Sequence, residues 1–184
     1  MKRDTKSIID ILVRYSILVI VGILSVQIFY FLFTSLTIYP TTFLLNLFFD
    51  VTLISNVLWV KGIPIEIIGP CIAGSAYYLL LILNLATPKL NAKTRIFSLL
   101  FSFLALLLVN ILRIFLLSLL LLSGSAFFDI THKLVWVIGS VIFVVGVWFL
   151  TVKLFKIKEI PFYSDIMYLC SHSKKKKTKS RKKH

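Results

Sequence analysis

The chain reads as an all-α polytopic membrane protein with four transmembrane helices and an outer interfacial helix or extended segment between the first and second. Three observations predict this. Of the 184 residues, 59% are hydrophobic, against about 45–50% in an ordinary soluble domain; the mean hydropathy is +0.97. The apolar residues gather into four long runs, and a bilayer crossing takes about 20 helical residues. The Lys and Arg residues fall on alternate connections, as the positive-inside rule requires of a bundle with both termini in the cytoplasm.

The first run, 15–36, follows a charged start containing Lys2, Arg3 and Lys6, with Arg14 placed to snorkel at its edge. It is too long for the h-region of a signal peptide, and no small-x-small cleavage site follows it, so it reads as a retained signal anchor. Segment 37–66 lies outside. Within it, 43–60 is long enough to suggest a fifth crossing but carries Asn46, Asp50, Ser55 and Asn56; Leu44, Leu47, Phe48 and Val51 recur at helical spacing, as in a helix lying at the interface. The β-branched VKGIPIEII that follows looks extended, interrupted by Pro64.

The second run is 67–87, the third 96–122 and the fourth 134–152. Lys89, Lys93 and Arg95 fill the link between the second and third, and Lys153, Lys156 and Lys158 follow the fourth. Four crossings put all of these inside and leave only Lys61 and Lys133 as outer cations; a fifth crossing would break the pattern. Residues 1–158 then form one transmembrane domain, and 159–184 a cytoplasmic tail ending in SHSKKKKTKSRKKH. Such a tail beside a last membrane helix is expected to be solvated and to touch anionic lipid heads rather than nucleic acid. The two cysteines, Cys71 and Cys170, fall on opposite sides and cannot pair.

Arg113 is the only charge in 96–122. Its guanidinium keeps its charge at any ordinary pH, and placing it in lipid costs at least about 2.5–3.5 kcal/mol. Such groups face a protein interior or a wet cavity and usually serve function. Asn110, three residues earlier, shares its face. No acid lies on the same helix, so an ion-pair partner would have to be Glu66, Asp50 or Asp129. The alternative role is a fixed donor to a developing oxyanion or a substrate carboxylate.

Cys71 lies on the same outer side. A cysteine in an apolar helix is commonly a small buried hydrophobe, but Gly69 and Pro70 precede this one and Gly74 and Ser75 follow, leaving room for a substrate. Pro70 suits a first helical turn, which would favour the thiolate of Cys71 through the helix dipole. His132 opens the fourth helix and is the one outer histidine. An imidazole can take a thiol proton and return it to a leaving amine. Asp129 either orients that ring or caps the helix. A thiol, an imidazole and a guanidinium thus converge from three helices on one membrane face.

These residues, read as GPCIAGSAYY, VNILRIFLL and FDITHKLVWVIG, resemble in order and spacing the motifs of the exosortase/archaeosortase family of membrane cysteine transpeptidases, over about 63–148. That family commonly has Cys-Ser-Gly or Cys-Thr-Gly at its first motif. Here Cys71-Ile72-Ala73-Gly74 has its glycine one place later, and Lys133 adjoins His132 where some members use a second Arg. The chain looks like a minimal, short member. The resemblance implies a thiol protease or transpeptidase at the cell membrane that cleaves C-terminal sorting signals (a short motif, a membrane helix and a basic end) from membrane-anchored surface proteins. Cys71 would be the nucleophile, Arg113 the oxyanion stabiliser and His132 the general acid/base, with Asn110, Ser75, Asp129 and Glu66 in support. A thioester would pass to a lipid or other acceptor. No cofactor or metal is called for, since one outer Cys and one outer His make no metal site.

The competing reading is a non-enzymatic membrane scaffold in which Arg113 and Asn110 hold helices together. It expects Arg113 to be paired with an acid away from Cys71. A channel would need polar residues through the full depth of several helices, which the first and fourth runs lack.

Overall fold

A computed structural model describes residues 2–23, 27–88 and 90–157. The basic tail 159–184, Cys170, Lys89 and Lys158 lie outside the described residues. The chain is mostly helical: α1 (Lys2–Ile23), α2 (Gln27–Asn46), a one-turn helix α3 (Gly69–Ile72), α4 (Gly74–Leu85), α5 (Ala92–Leu122), α6 (Phe128–Leu134) and α7 (Ser140–Leu154). A π-helical turn, Val135–Gly139, joins α6 to α7. Between α2 and α3 lie three short strands, β1 (Val51–Ile54), β2 (Val57–Val60) and β3 (Ile63–Glu66).

Three helices are long and apolar enough to cross a membrane: Gln27–Asn46, Ala92–Leu122 and the continuous Phe128–Leu154; Ile11–Gly22 and Gly69–Leu85 are apolar but shorter. Unlike a water-soluble bundle, the helices also carry large apolar side chains on their outer faces. Along α5, Ile96, Leu100, Leu104, Leu108, Leu112 and Leu116 form an exposed stripe at four-residue spacing. Ser98, Ser102, Asn110, Arg113 and Ser118 are buried on the other side. With no hydrophobic drive toward the inside, lipid-embedded helices turn polar groups to one another and apolar ones outward.

The first apolar run is divided between α1 and α2, and both run antiparallel to α4. Arg14 meets the carbonyl of Leu85 at the far end of α4, the Tyr78 hydroxyl donates to the Leu18 carbonyl, and Phe33 stacks on Tyr77 with ring centroids 3.7 Å apart. Phe103 of α5 approaches Tyr77 edge-on at 5.5 Å, so four aromatic rings, with Phe29, tie α2, α4 and α5 together. Pro40 inside α2 removes one backbone donor. Thr41 and Thr42 follow it and give their hydroxyls to the carbonyls of Thr37 and Ile38, an accommodation membrane helices use at proline.

Two sequence expectations need correction. Residues 43–60 are not an interfacial helix: 43–46 complete α2, and 51–66 form an antiparallel meander in the order β1-β2-β3. The helical spacing of Leu44, Leu47, Phe48 and Val51 straddles the end of α2 and the start of β1. The β-branched run that follows is set by two-residue turns, Ser55-Asn56 and Lys61-Gly62. Lys61 and Gly62 both take positive φ, at 52° and 80°, as the hairpin turn that matches strand twist requires. Leu58 and Val60 are fully buried beneath the sheet. The extended reading of VKGIPIEII holds. Arg14, in turn, does not snorkel: it is 4% exposed and donates to the Leu85 carbonyl at 2.8 Å. Arg95 reaches the same helix end from α5, bonding the carbonyls of Asn84, Leu85 and Thr87. The last carbonyls of a helix have no partner within it, and two guanidiniums supply the missing donors at its negative end.

Candidate functional site

At the opposite end of the bundle, the loop entering α4 is broken. Pro70 opens α3, its missing N–H being one the first turn does not need. The turn ends at Ala73, which takes the left-handed conformation, φ 59° and ψ 37°, and α4 begins afresh at Gly74. The second run is therefore not one helix starting before Cys71. Cys71 sits in a single separate turn with its N–H bonded to the Ile68 carbonyl. Four residues sum little dipole, so Cys71 does not sit at the N-terminus of a long helix as the sequence suggested. The thiol is free and half-buried.

Asn110 explains how that turn is held. It is 3% exposed, and its side-chain amide donates to the Cys71 carbonyl at 2.7 Å. One turn further along α5, Arg113 is 8% exposed. Its Nη1 donates to the Ser140 hydroxyl at 3.3 Å, and its Nε is buried without a protein acceptor. Among the described residues no carboxylate forms an ion pair with Arg113, although Glu66 lines the same cavity.

A cavity of about 350 Å³ opens beside these groups. Cys71, Arg113, His132 and Glu66 all line it. Its walls come from 64–68 on one side, from Ile114, Leu117, Ser118 and Leu121 of α5 on another, and from Phe128, His132 and Trp136 on the third. The thiol, the guanidinium and the imidazole thus come from α3, α5 and α6 into one space. The His132 ring, itself exposed, lies parallel to Phe128, 5.5 Å between centroids.

The supporting residues divide. Asn110 touches Cys71 directly. Glu66 lines the cavity and accepts from Asn56 at 3.4 Å. Ser75 and Asp129 are exposed and outside the lining. Asp129 is in the first turn of α6, where an acid suits the helix dipole; it neither bonds His132 nor caps the helix, since Phe127 holds the cap position.

Sequence reading missed Ser140 and Trp136, although both follow His132 at helical spacing. It read 60–68 as extended and named Glu66, but did not foresee that this strand forms a wall of the cavity. The π-helical turn sits between His132 and Ser140; such widened turns recur at functional sites, and here one shifts the phase of His132 relative to the serine that holds Arg113. Among the described residues no group of three His, Cys, Asp or Glu side chains could hold a metal ion.

No family model, curated protein or solved structure matches the chain.

Proposed function

We propose that this chain is a cysteine protease or transpeptidase of the cell membrane, acting on surface proteins at the end of the bundle where Cys71 lies. The observation that carries the reading is the common cavity of Cys71, Arg113 and His132. In the proposed cycle, Cys71 Sγ attacks a substrate backbone carbonyl as His132 takes the thiol proton. The guanidinium of Arg113 holds the oxyanion. The C–N bond then breaks, His132 returns the proton to the leaving amine, and a thioester remains. An acceptor hydroxyl, amine or water, deprotonated by His132, attacks the thioester; the C–S bond breaks and the thiol reforms.

The resemblance to the exosortase/archaeosortase motifs supplies the substrate class: proteins with a C-terminal motif, membrane helix and basic end. The scaffold alternative is less well supported, because it needs Arg113 paired with an acid away from Cys71. The proposal includes four crossings, with α1 and α2 together making the first, both termini cytoplasmic and the cavity outside. Support comes from the cations: Arg14, Lys93, Arg95, Lys153 and Lys156 gather toward the end of the bundle remote from Cys71, as the positive-inside rule expects. The basic tail then meets anionic lipid heads.

The test compares host cells carrying the wild-type chain with cells carrying Cys71→Ala or Cys71→Ser. Mass spectrometry of membrane-protein C-termini should find a set of proteins that lose their C-terminal helix only with the wild type. Cys170→Ala should leave that set intact. Identical C-termini in all strains would end the proposal.

A further inference from the structure

The cavity meets β3 in an unusual way. Three consecutive strand residues, 64–66, and the two that follow, 67 and 68, all line it. Successive side chains of a strand point to opposite faces, so a space that touches every residue in turn lies along the strand's edge. β3 is the last strand of the sheet, and its other edge is occupied by β2. The Ile67 N–H donates to the Asn56 carbonyl across that occupied edge. By strand alternation and the register Leu58↔Ile65 and Val60↔Ile63, Ile63 and Ile65 also bond toward β2. The N–H and C=O of Glu66 and the C=O of Pro64 are left pointing to the cavity. Pro64 itself sits where its missing N–H costs no sheet bond, as edge prolines do.

On the acyl-transfer reading above, we propose that the substrate polypeptide binds this free edge as a fourth strand beside 64–68, and that this pairing delivers the bond to be cleaved to Cys71. The occupant is specified by chemistry. An acyl chain cannot bond the main-chain groups of Pro64 and Glu66, and unpaired backbone groups away from water are costly. An extended peptide presents donors and acceptors in the alternation they need. Its side chains project to either side of the new strand, toward the apolar wall of Leu117, Leu121, Phe128 and Trp136 or toward the Glu66 carboxylate, which favours a donor-bearing side chain there. Direction also follows. β3 runs toward Cys71 and α4 leads away from it, so a substrate that continues past Cys71 into its own membrane helix runs the same way as β3. Main-chain pairing supplies affinity for many sequences; the wall and Glu66 supply selection.

The test uses the full chain carrying Cys71→Ala in lipid nanodiscs. The probes are short synthetic peptides copying the segments before the C-terminal helices of the host's single-pass surface proteins. Residue-resolved hydrogen exchange should show the Glu66 amide slowed about tenfold or more by one or more peptides, the scale of one added main-chain hydrogen bond. The same peptides N-methylated at alternate backbone positions should lose the effect. No slowing with any peptide overturns the proposal. So does slowing already present without peptide, which would mean that a second copy or lipid holds the edge. In cells, Glu66→Pro should process about tenfold less than Glu66→Gln, since only proline lacks the N–H; equal losses overturn edge pairing. If Cys71→Ala cells still process their proteins, the acyl-transfer reading falls and the exchange experiment decides the edge by itself.

Discussion

Ala73→Gly should stabilise the protein. Ala73 lies between α3 and α4 with φ 59° and ψ 37°, a conformation that brings Cβ against the following carbonyl and costs an L-residue about 1–2 kcal/mol. Glycine has no such cost, but it frees the unfolded chain and gives back about 0.4–1 kcal/mol. The net gain is about 0.5–1 kcal/mol; at about 2–4 °C per kcal/mol for this chain length, the melting temperature should rise by about 1–4 °C. The assay is fluorescence-detected melting of the detergent-purified variant beside wild type. Ala73→Val, with a branched Cβ in the same conformation, should melt lower than wild type. An Ala73→Gly protein that melts at or below the wild-type temperature would refute the reasoning, because it would mean that the left-handed turn after Cys71 is not present. The same turn bears on the motif the chain resembles. That family commonly has glycine two residues after the cysteine; here that place is Ala73, held in the conformation glycine adopts without strain.

Arg113→Lys keeps a cation but loses the planar fork; processing should fall about 10²–10³-fold with little change in melting temperature. A stable Arg113→Lys protein with wild-type processing would remove Arg113 from the catalytic set. Asn110→Leu leaves the Cys71 carbonyl without the 2.7 Å bond it now receives; thermal melting should show a loss of about 1–3 kcal/mol, and processing should fall with it. In a Cys71→Ser, Cys170→Ser background, Ala92→Cys should resist an impermeant maleimide applied to whole cells and react once the membrane is opened; labelling from outside would invert the proposed topology.

The sequence made the long helices legible and the joints between them obscure. Run 96–122 lies within α5 because a stretch with one charge has a single way to satisfy its backbone in lipid. The fourth run, 134–152, was seen without α6, whose residues Phe128–Leu134 bury nothing and leave no helical stripe to read. The meander was missed because apolar residues at the end of α2 kept helical spacing up to Val51, although the Lys61-Gly62 turn was visible. Cys71, Arg113 and His132 could be assigned to one side from charge placement, and the cavity brings them together. Asp129 and His132 both lie in α6 at three-residue spacing, yet Asp129 does not bond the ring, and spacing alone could not decide between the two roles. Arg14 was assigned to the lipid surface for want of a visible partner, since a helix-end carbonyl leaves no mark in a sequence.

The helix pair that carries Cys71 is short. Residues 69–85 rise about 25 Å, while the 31 residues of α5 rise about 45 Å. Asn84 of α4 meets Ser98 of α5 near the basic end and Asn110 meets Cys71, so α5 runs on about twelve residues, about 18 Å, beyond Cys71. There α5 rises past a wall that has stopped, and the gap is filled by the β meander and the cavity. If the basic end marks one boundary of a hydrocarbon core about 30 Å thick, Cys71 lies short of the other boundary, beside the strands. On the proposed acyl-transfer reading, a thioester at that depth would meet lipid headgroups more readily than bulk water, which would favour transfer over hydrolysis.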